Sequence, residues 1–279
     1  MHNKAHCNPK TLNRLELPVR RLLGLTLVVA MLPGALYSIP ASSENQEKAK
    51  PPVTIEASES LEWDQTEGSY TARGNAYIVQ GTSNIKADRI IARYDPNSKT
   101  RDLTRVVATG SVIYNNARNL AQGEKLDSDI RPSRYLLTGE NVRASGPEGE
   151  ITANESIIYD EKNINKQVVT AVGKARYKNI DGRILYGDRL VAVFDSNGSL
   201  ISIDGFGNTK VISAEGTTAT ADKLNYLAQT SRAKLNGNVV VNDKENVMRG
   251  ARAEIDFQKD VSRIISDGKG KRVSGVITP

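Results

Sequence analysis

From Val53 to about Gly268, apolar and polar residues alternate with a period of two. The runs are bounded by Gly, Asn, Asp and Ser, which is the pattern of half-buried β-strands joined by turns. No stretch carries a long apolar period of 3.6, so little helix is expected. Pro96, Pro132 and Pro147 interrupt this region, each beside turn-forming residues. The runs come in two kinds that follow one another. One kind carries a central glycine, as in "ARGNAYIV", "ATGSVIY", "LTGENVRA", "AVGKARY", "GFGNTKV" and "LNGNVVV". The other ends in an aromatic residue, usually with aspartate behind it, as in "ASESLEWD", "ADRIIARYD", "ANESIIYD" and "GDRLVAVFD". Asp64, Asp95, Asp160 and Asp195 then open turns, because an aspartate side chain bonds its own backbone two residues on.

The glycines of the first kind, Gly74, Gly110, Gly139, Gly173, Gly207 and Gly237, are spaced 36, 29, 34, 34 and 30 residues apart. Two strands per unit at that period predict an all-β chain of roughly 14 to 16 antiparallel strands stacked in sequence order. The unit "AQGEKLDSD" fits poorly and predicts a distorted turn or an inserted loop. Strand side chains alternate, so counting in twos from each aromatic places Leu61 with Trp63, Ile90 and Ala92 with Tyr94, and Ile157 with Tyr159. It likewise groups Leu190 and Ala192 with Phe194, and Leu224 with Tyr226. Counting forward from each glycine adds Ala76, Ile78, Val112, Ala175, Val239 and Val241 to the same face. The opposite phase is polar (Glu62, Arg93, Arg189, Lys223, Asn238). A sheet with one apolar face and no helices to cover it must fold onto itself. Alternation alone leaves open whether it closes dry or leaves a slot.

Composition narrows the chemistry. Ahead of this region stands a basic start (Lys4, Lys10, Arg14, Arg20, Arg21) and the apolar run Leu22–Tyr37, followed by small residues. Residues 1–41 read as an export signal cut between Ser38 and Ser43, with a retained membrane anchor as the alternative. Residues 42–52 read as a linker, 53–268 as the folded domain and 269–279 as a flexible tail. The formal charge of +6 is largely a property of the leader. Removing its five bases and one acid from 38 and 32 leaves 33 against 31, with the signs interspersed, so no nucleic-acid partner is expected. Cys7, His2 and His6 also precede the apolar run, and they are the only Cys and His in the chain. The folded part therefore has no disulfide, no imidazole or thiol for catalysis, and no ligands typical of zinc. Its Gly-Lys pairs lack the earlier glycine of a phosphate-binding loop. No enzymatic activity and no cofactor or metal are expected.

The order of the motifs then resembles a known family. "ARGNAYIVQGTSNIKADRIIARYD" and "LNGNVVVNDKENVMRGARAEIDF", behind an export signal, are similar to the OstA/LptA group of lipopolysaccharide-transport proteins. The resemblance covers about residues 53–268. It implies a repetitive antiparallel β-jellyroll bent into an open V-shaped slot whose apolar inside takes the acyl chains of lipopolysaccharide. It also implies a periplasmic bridge between an inner-membrane LptC-like and an outer-membrane LptD-like partner. The two bare edges of an open sheet would let such partners, or further copies of the chain, add strands head to tail. The edges would lie at residues 53–63 and about 250–266. On this view Leu61, Trp63, Ala76, Ile78, Ile90, Ala92, Tyr94, Val112, Ile157, Tyr159, Ala175, Leu190, Ala192, Phe194, Leu224, Tyr226, Val239 and Val241 line the slot. Lys86, Arg89 and Arg189 are candidate rim charges for lipid phosphate, with a solvated face as the plainer account. The alternatives are an inner-membrane anchored LptC-like relative and a structural β-solenoid with a dry core. A polysaccharide-cleaving β-solenoid would need clustered acids on one face, which the alternation does not supply.

Overall fold

The structure is a computed structural model and describes residues 51–163, 166–243, 246–268 and 272–277. The proposed leader and most of the linker lie outside the described residues. Eighteen strand segments, and no helix among the described residues, form one antiparallel meander. The chain begins with β1 (Val53–Glu56) and β2 (Ser60–Asp64), which pair with the two halves of the long β3 (Ser69–Gln80). Then β4 (Ser83–Tyr94), β5 (Leu103–Asn115) and β6 (Leu120–Asp129) follow in order. The next two ladder positions are each split, into β7 (Arg134–Thr138) with β8 (Val142–Gly146), and β9 (Gly149–Ala153) with β10 (Ser156–Asn163). Full-length strands resume with β11 (Lys166–Asn179), β12 (Ile184–Asp195), β13 (Leu200–Ile212), β14 (Thr218–Leu227), β15 (Arg232–Asp243) and β16 (Asn246–Asp256). The meander ends with β17 (Val261–Ile265) and β18 (Ser274–Val276), both on β16. Thus Ser274–Val276, within the expected tail, continues the ladder.

Each long strand bends near its middle, and the bends align. Pairing is interrupted between Arg73 and Ala76, Thr109 and Val112, Val172 and Ala175, Phe206 and Thr209, and Asn236 and Val239. Every gap holds one repeat glycine and its successor, and both have positive φ, as in Gly207 (68°) and Asn208 (44°). Two consecutive left-handed residues insert the extra length of a bulge and turn the strand onto a new direction. One line of creases therefore divides the meander into two leaflets. The Trp63 leaflet contains β2, the first half of β3 and the second half of β4, and so on in alternation; the Val53 leaflet contains β1 and the complementary halves.

Acids of the second motif guard the creases from outside. Asp88, Asp188 and Asp222 lie over Gly110, Gly207 and Gly237 so closely that a Cβ on any of these glycines would fall 2.1–2.2 Å from a carboxylate oxygen. Asn208 and Asn238 donate their side-chain amides to Asp188 (2.9 Å) and Asp222 (3.0 Å). Glu124 accepts the backbone N–H of Glu140 at 3.1 Å beside Gly139. These contacts offset the backbone strain at each bend.

The inner phase of both leaflets is the core. Ala72, Ile90, Leu190, Ile203 and Leu235 of the Trp63 leaflet are fully buried, as are Ala76, Val112, Leu185, Val211 and Val241 of the Val53 leaflet. The unit "AQGEKLDSD" forms the continuous β6 rather than a loop. Its misfit is one of side-chain size. Buried Ser128 stands where other units carry an aromatic, and its cross-strand partner Tyr135 supplies the bulk.

A Gly207→Ala substitution should destabilise the fold more than Gly198→Ala. Both glycines have positive φ, at 68° and 85°, but a Cβ at Gly198 meets nothing within 4 Å. About 1–2 kcal/mol is expected at Gly198 from the left-handed backbone. Roughly 1 kcal/mol more is expected at Gly207, where Asp188 must leave Asn208. Thermal denaturation of the two variants measures the difference.

Candidate lipid trough

The candidate site is the space between the leaflets. Of the positions assigned to it by alternation, Ala76, Ile78, Ile90, Ala92, Tyr94, Val112, Ile157, Ala175, Leu190, Ala192, Leu224, Tyr226, Val239 and Val241 are buried between the leaflets, and Tyr159 and Phe194 are half-buried in the same row. Leu61 and Trp63 share this face but are 53% and 45% exposed, because β2 is an edge and has no strand beyond it. Trp63 is nonetheless held in place. It stacks on Tyr70 at 5.7 Å between centroids and donates its Nε1–H to Tyr94 Oη at 2.8 Å. At the far edge the inner face carries the half-buried Ile264 of β17, opposite buried Ala253, whereas the exposed Val261 and Val276 stand on the outer face, opposite Asp256 and Val247. The interior thus runs the length of the ladder and is apolar at both ends.

In the Val53 leaflet the inner positions next to the creases are small, with Ala76 opposite Ala87 and Ala175 opposite Gly187. In the Trp63 leaflet buried alanines alternate there with larger residues, Ala72 and Ala108 flanking Ile90 and Ala171 standing opposite Leu190. The aromatic that ends each unit stands at the open side of the V, the mouth, where the turns of the two leaflets face each other. There Tyr114 of the Val53 leaflet meets Tyr135 of the Trp63 leaflet at 6.2 Å, and Tyr135 meets Tyr159 edge-on at 5.7 Å. Burial raises the phenols of Tyr135, Tyr159 and Tyr177, and that of Tyr159 is pushed up to about 12, with Glu161 adding to the effect.

Alternation could not find the groups that close the mouth. Arg118, in the β5–β6 turn of the Val53 leaflet, donates to the backbone oxygen of Asn197 in the β12–β13 turn of the other leaflet at 3.3 Å. Arg183, in the β11–β12 turn, donates to Tyr226 Oη at 2.5 Å. Its guanidinium also covers the rings of Tyr226 and Phe257, at 5.7 and 5.1 Å. In contrast, Lys86, Arg89 and Arg189 sit on the outer face around the creases, Lys86 over Tyr77 and Arg189 over Phe206. That is the solvated-face arrangement. Polar hollows on this outer face, of about 260 and 610 Å3, are lined by residues such as Glu62, Arg73 and Arg93, and Asn154, Lys174 and Asp188. Among the described residues no group of three or more His, Cys, Asp or Glu is arranged to hold a metal.

The sequence matches the family described as LptA/(LptD N-terminal domain) LPS transport protein twice, over residues 54–165 and 150–261. The chain belongs to this family. The two matches share residues 150–165, so β9 and β10 close the first matched segment and open the second within one uninterrupted ladder. No curated protein sequence matches the chain. Among solved structures it is similar to LptH from Pseudomonas aeruginosa, described as the LptA-homologous periplasmic component of the conserved lipopolysaccharide transport device. That likeness has 15% identity, 82% of this chain and 96% of LptH covered, and a TM-score of 0.22. Family membership makes this an LPS transport protein, and its fold is the all-β antiparallel jellyroll expected of the group.

The buried phenols give a pH signature. Tyr159 ionises near 10 in an unfolded chain and near 12 when folded. Its contribution is therefore intact below pH 10 and is lost as pH rises through 12. Melting temperature should fall across that window, and Tyr159→Phe should flatten part of the fall. Thermal scans at pH 9 to 12 check this.

Proposed function

We propose that the chain is a periplasmic carrier and bridge that takes the acyl chains of lipopolysaccharide between its leaflets and passes the lipid from inner-membrane to outer-membrane partners, without enzymatic activity. Supporting this most directly is a single apolar interior that runs from the bare edge at β2 to the bare edge at β17 and β18, with small residues next to the creases of the Val53 leaflet. Burying acyl carbon is worth about 0.8 kcal/mol per methylene, so full enclosure of several long chains would hold the lipid too tightly to hand on. A trough formed by two leaflets hinged at a crease covers each chain only as far as the leaflets part.

The edges support the bridging part of the reading. Soluble proteins ordinarily block exposed strands. Here the inner face of the sheet ends on Leu61 and Trp63 of β2 at one edge and on Ile264 of β17 at the other. Strand addition at either edge would continue both the ladder and the apolar interior into a neighbour. The division of the chain into leader at 1–41, linker at 42–52 and folded region from 53 belongs to the same proposal and accounts for delivery to the periplasm.

The deciding experiment is mass spectrometry of lipid that copurifies with the chain from a lipopolysaccharide-making host. Lipopolysaccharide should be present with the wild type and lost from a folded Ile78→Asp, Leu190→Asp variant. Protein free of lipid in both samples would point instead to a dry structural sheet. Sedimentation tests the edges separately. Leu61→Lys with Val276→Lys should abolish concentration-dependent self-association while leaving the circular dichroism spectrum unchanged.

A further inference from the structure

Arg183 is placed unusually for a surface-turn cation. Its turn is fixed by the backbone N–H of Arg183, which donates to Asn179 Oδ1 at 2.8 Å, and by the Asn179 N–H, which donates to the Arg183 carbonyl at 3.0 Å. From there the side chain leaves its own leaflet and crosses the mouth to Tyr226 and Phe257. Only 13% of it remains exposed. The ion pair recorded for it is with Asp181, at 3.8 Å, beyond hydrogen-bond length, and that carboxylate is 63% exposed. A guanidinium so withdrawn from water ordinarily takes a bidentate carboxylate or phosphate. Here it rests on a phenol and two ring faces, directly above the apolar interior.

We propose that Arg183 is a clasp: it holds the mouth shut by tying the β11–β12 turn to Tyr226 and Phe257, and it exchanges those neutral partners for a phosphate group carried by an entering lipid, which parts the leaflets there. The phosphate half of this proposal rests on the lipid-trough reading; the clasp does not. The exchange is favourable because a phosphate gives the guanidinium two charged acceptors in place of one neutral hydroxyl. Placement fits as well, since a phosphate on the clasp would lie at the mouth with its acyl chains pointing toward the crease.

The test pairs rim distance with lipid selectivity. Spin labels on Ile180→Cys and Lys259→Cys, in a Cys7→Ser background, report the separation of the two turns. Arg183→Gln should lengthen that distance in the absence of lipid, and Tyr226→Phe, which keeps the ring but loses the acceptor, should lengthen it less. An unchanged distance in both variants would overturn the clasp whether or not lipid binds. The probes are detergent-dispersed lipopolysaccharide, the same material after enzymatic removal of its phosphates, and inorganic phosphate alone. Wild type should bind the phosphorylated form about tenfold more tightly, as expected for one charge-assisted contact, and its turns should move apart. Arg183→Gln should bind both forms equally. A preference that survives Arg183→Gln would overturn the phosphate role, as would wild type binding neither form, which would also sink the trough reading. Inorganic phosphate alone moving the turns would assign the site to phosphate in general, and its failure to do so, with lipid succeeding, would assign it to lipid-borne phosphate.

Discussion

A β-strand of a dozen residues can serve two sheets only if it bends midway without forfeiting its ladder, and the consecutive left-handed residues at each crease meet that requirement. Glycine adopts the first of them without steric cost. The second falls on asparagine at Asn75, Asn208 and Asn238, the side chain most tolerant of that region after glycine. The acid on the outside completes the device by occupying the volume a Cβ would need and by taking the asparagine amide. Glycine is thereby required twice over, by its φ and by the carboxylate above it. Because the bends recur in every unit, the creases line up, and two leaflets arise from one meander.

With the crease in place, the rest follows from alternation. The inner phase of both leaflets is buried, the outer phase carries the charge, and no helix is needed to cover the apolar face. Outer ion pairs such as Arg105 with Asp127, at 2.7–2.8 Å, lie across neighbouring strands and hold register rather than supply much stability. The same geometry leaves the sheet with two bare edges and an interior open toward each. An isolated globular domain ordinarily suppresses such edges.

Much of this was legible in the chain. The glycines picked out by the repeat fall at the creases, and the residues counted in twos from Tyr94 and from Phe194 are buried or half-buried between the leaflets. The reading weakened where size replaced identity. Buried Ser128 breaks the aromatic pattern, and only its cross-strand pairing with Tyr135 shows that the volume is conserved across two strands instead of within one. The acid that meets each crease glycine was also present in the letters, 15 to 22 residues ahead of it, as with Asp188 and Gly207. Its meaning depends on a neighbour about 20 residues away, which alternation does not consult.

The amino-acid sequence by itself determined the strands, the inward phase and the family, because these depend on period-two patterning and on short motifs repeated in order. The tertiary structure alone decided what meets across the mouth. Arg118 reaches Asn197, and Arg183 reaches Phe257; each links a turn to one five ladder strands further on, β6 to β12 in the first case and β12 to β16 in the second, counting each split pair once. That stagger follows from the twist and slant of the strands in the two leaflets, a property summed over the whole ladder. No local stretch encodes it, so rim charges chosen by position alone fell on the outer face, while the arginines that close the mouth came from turns without any motif.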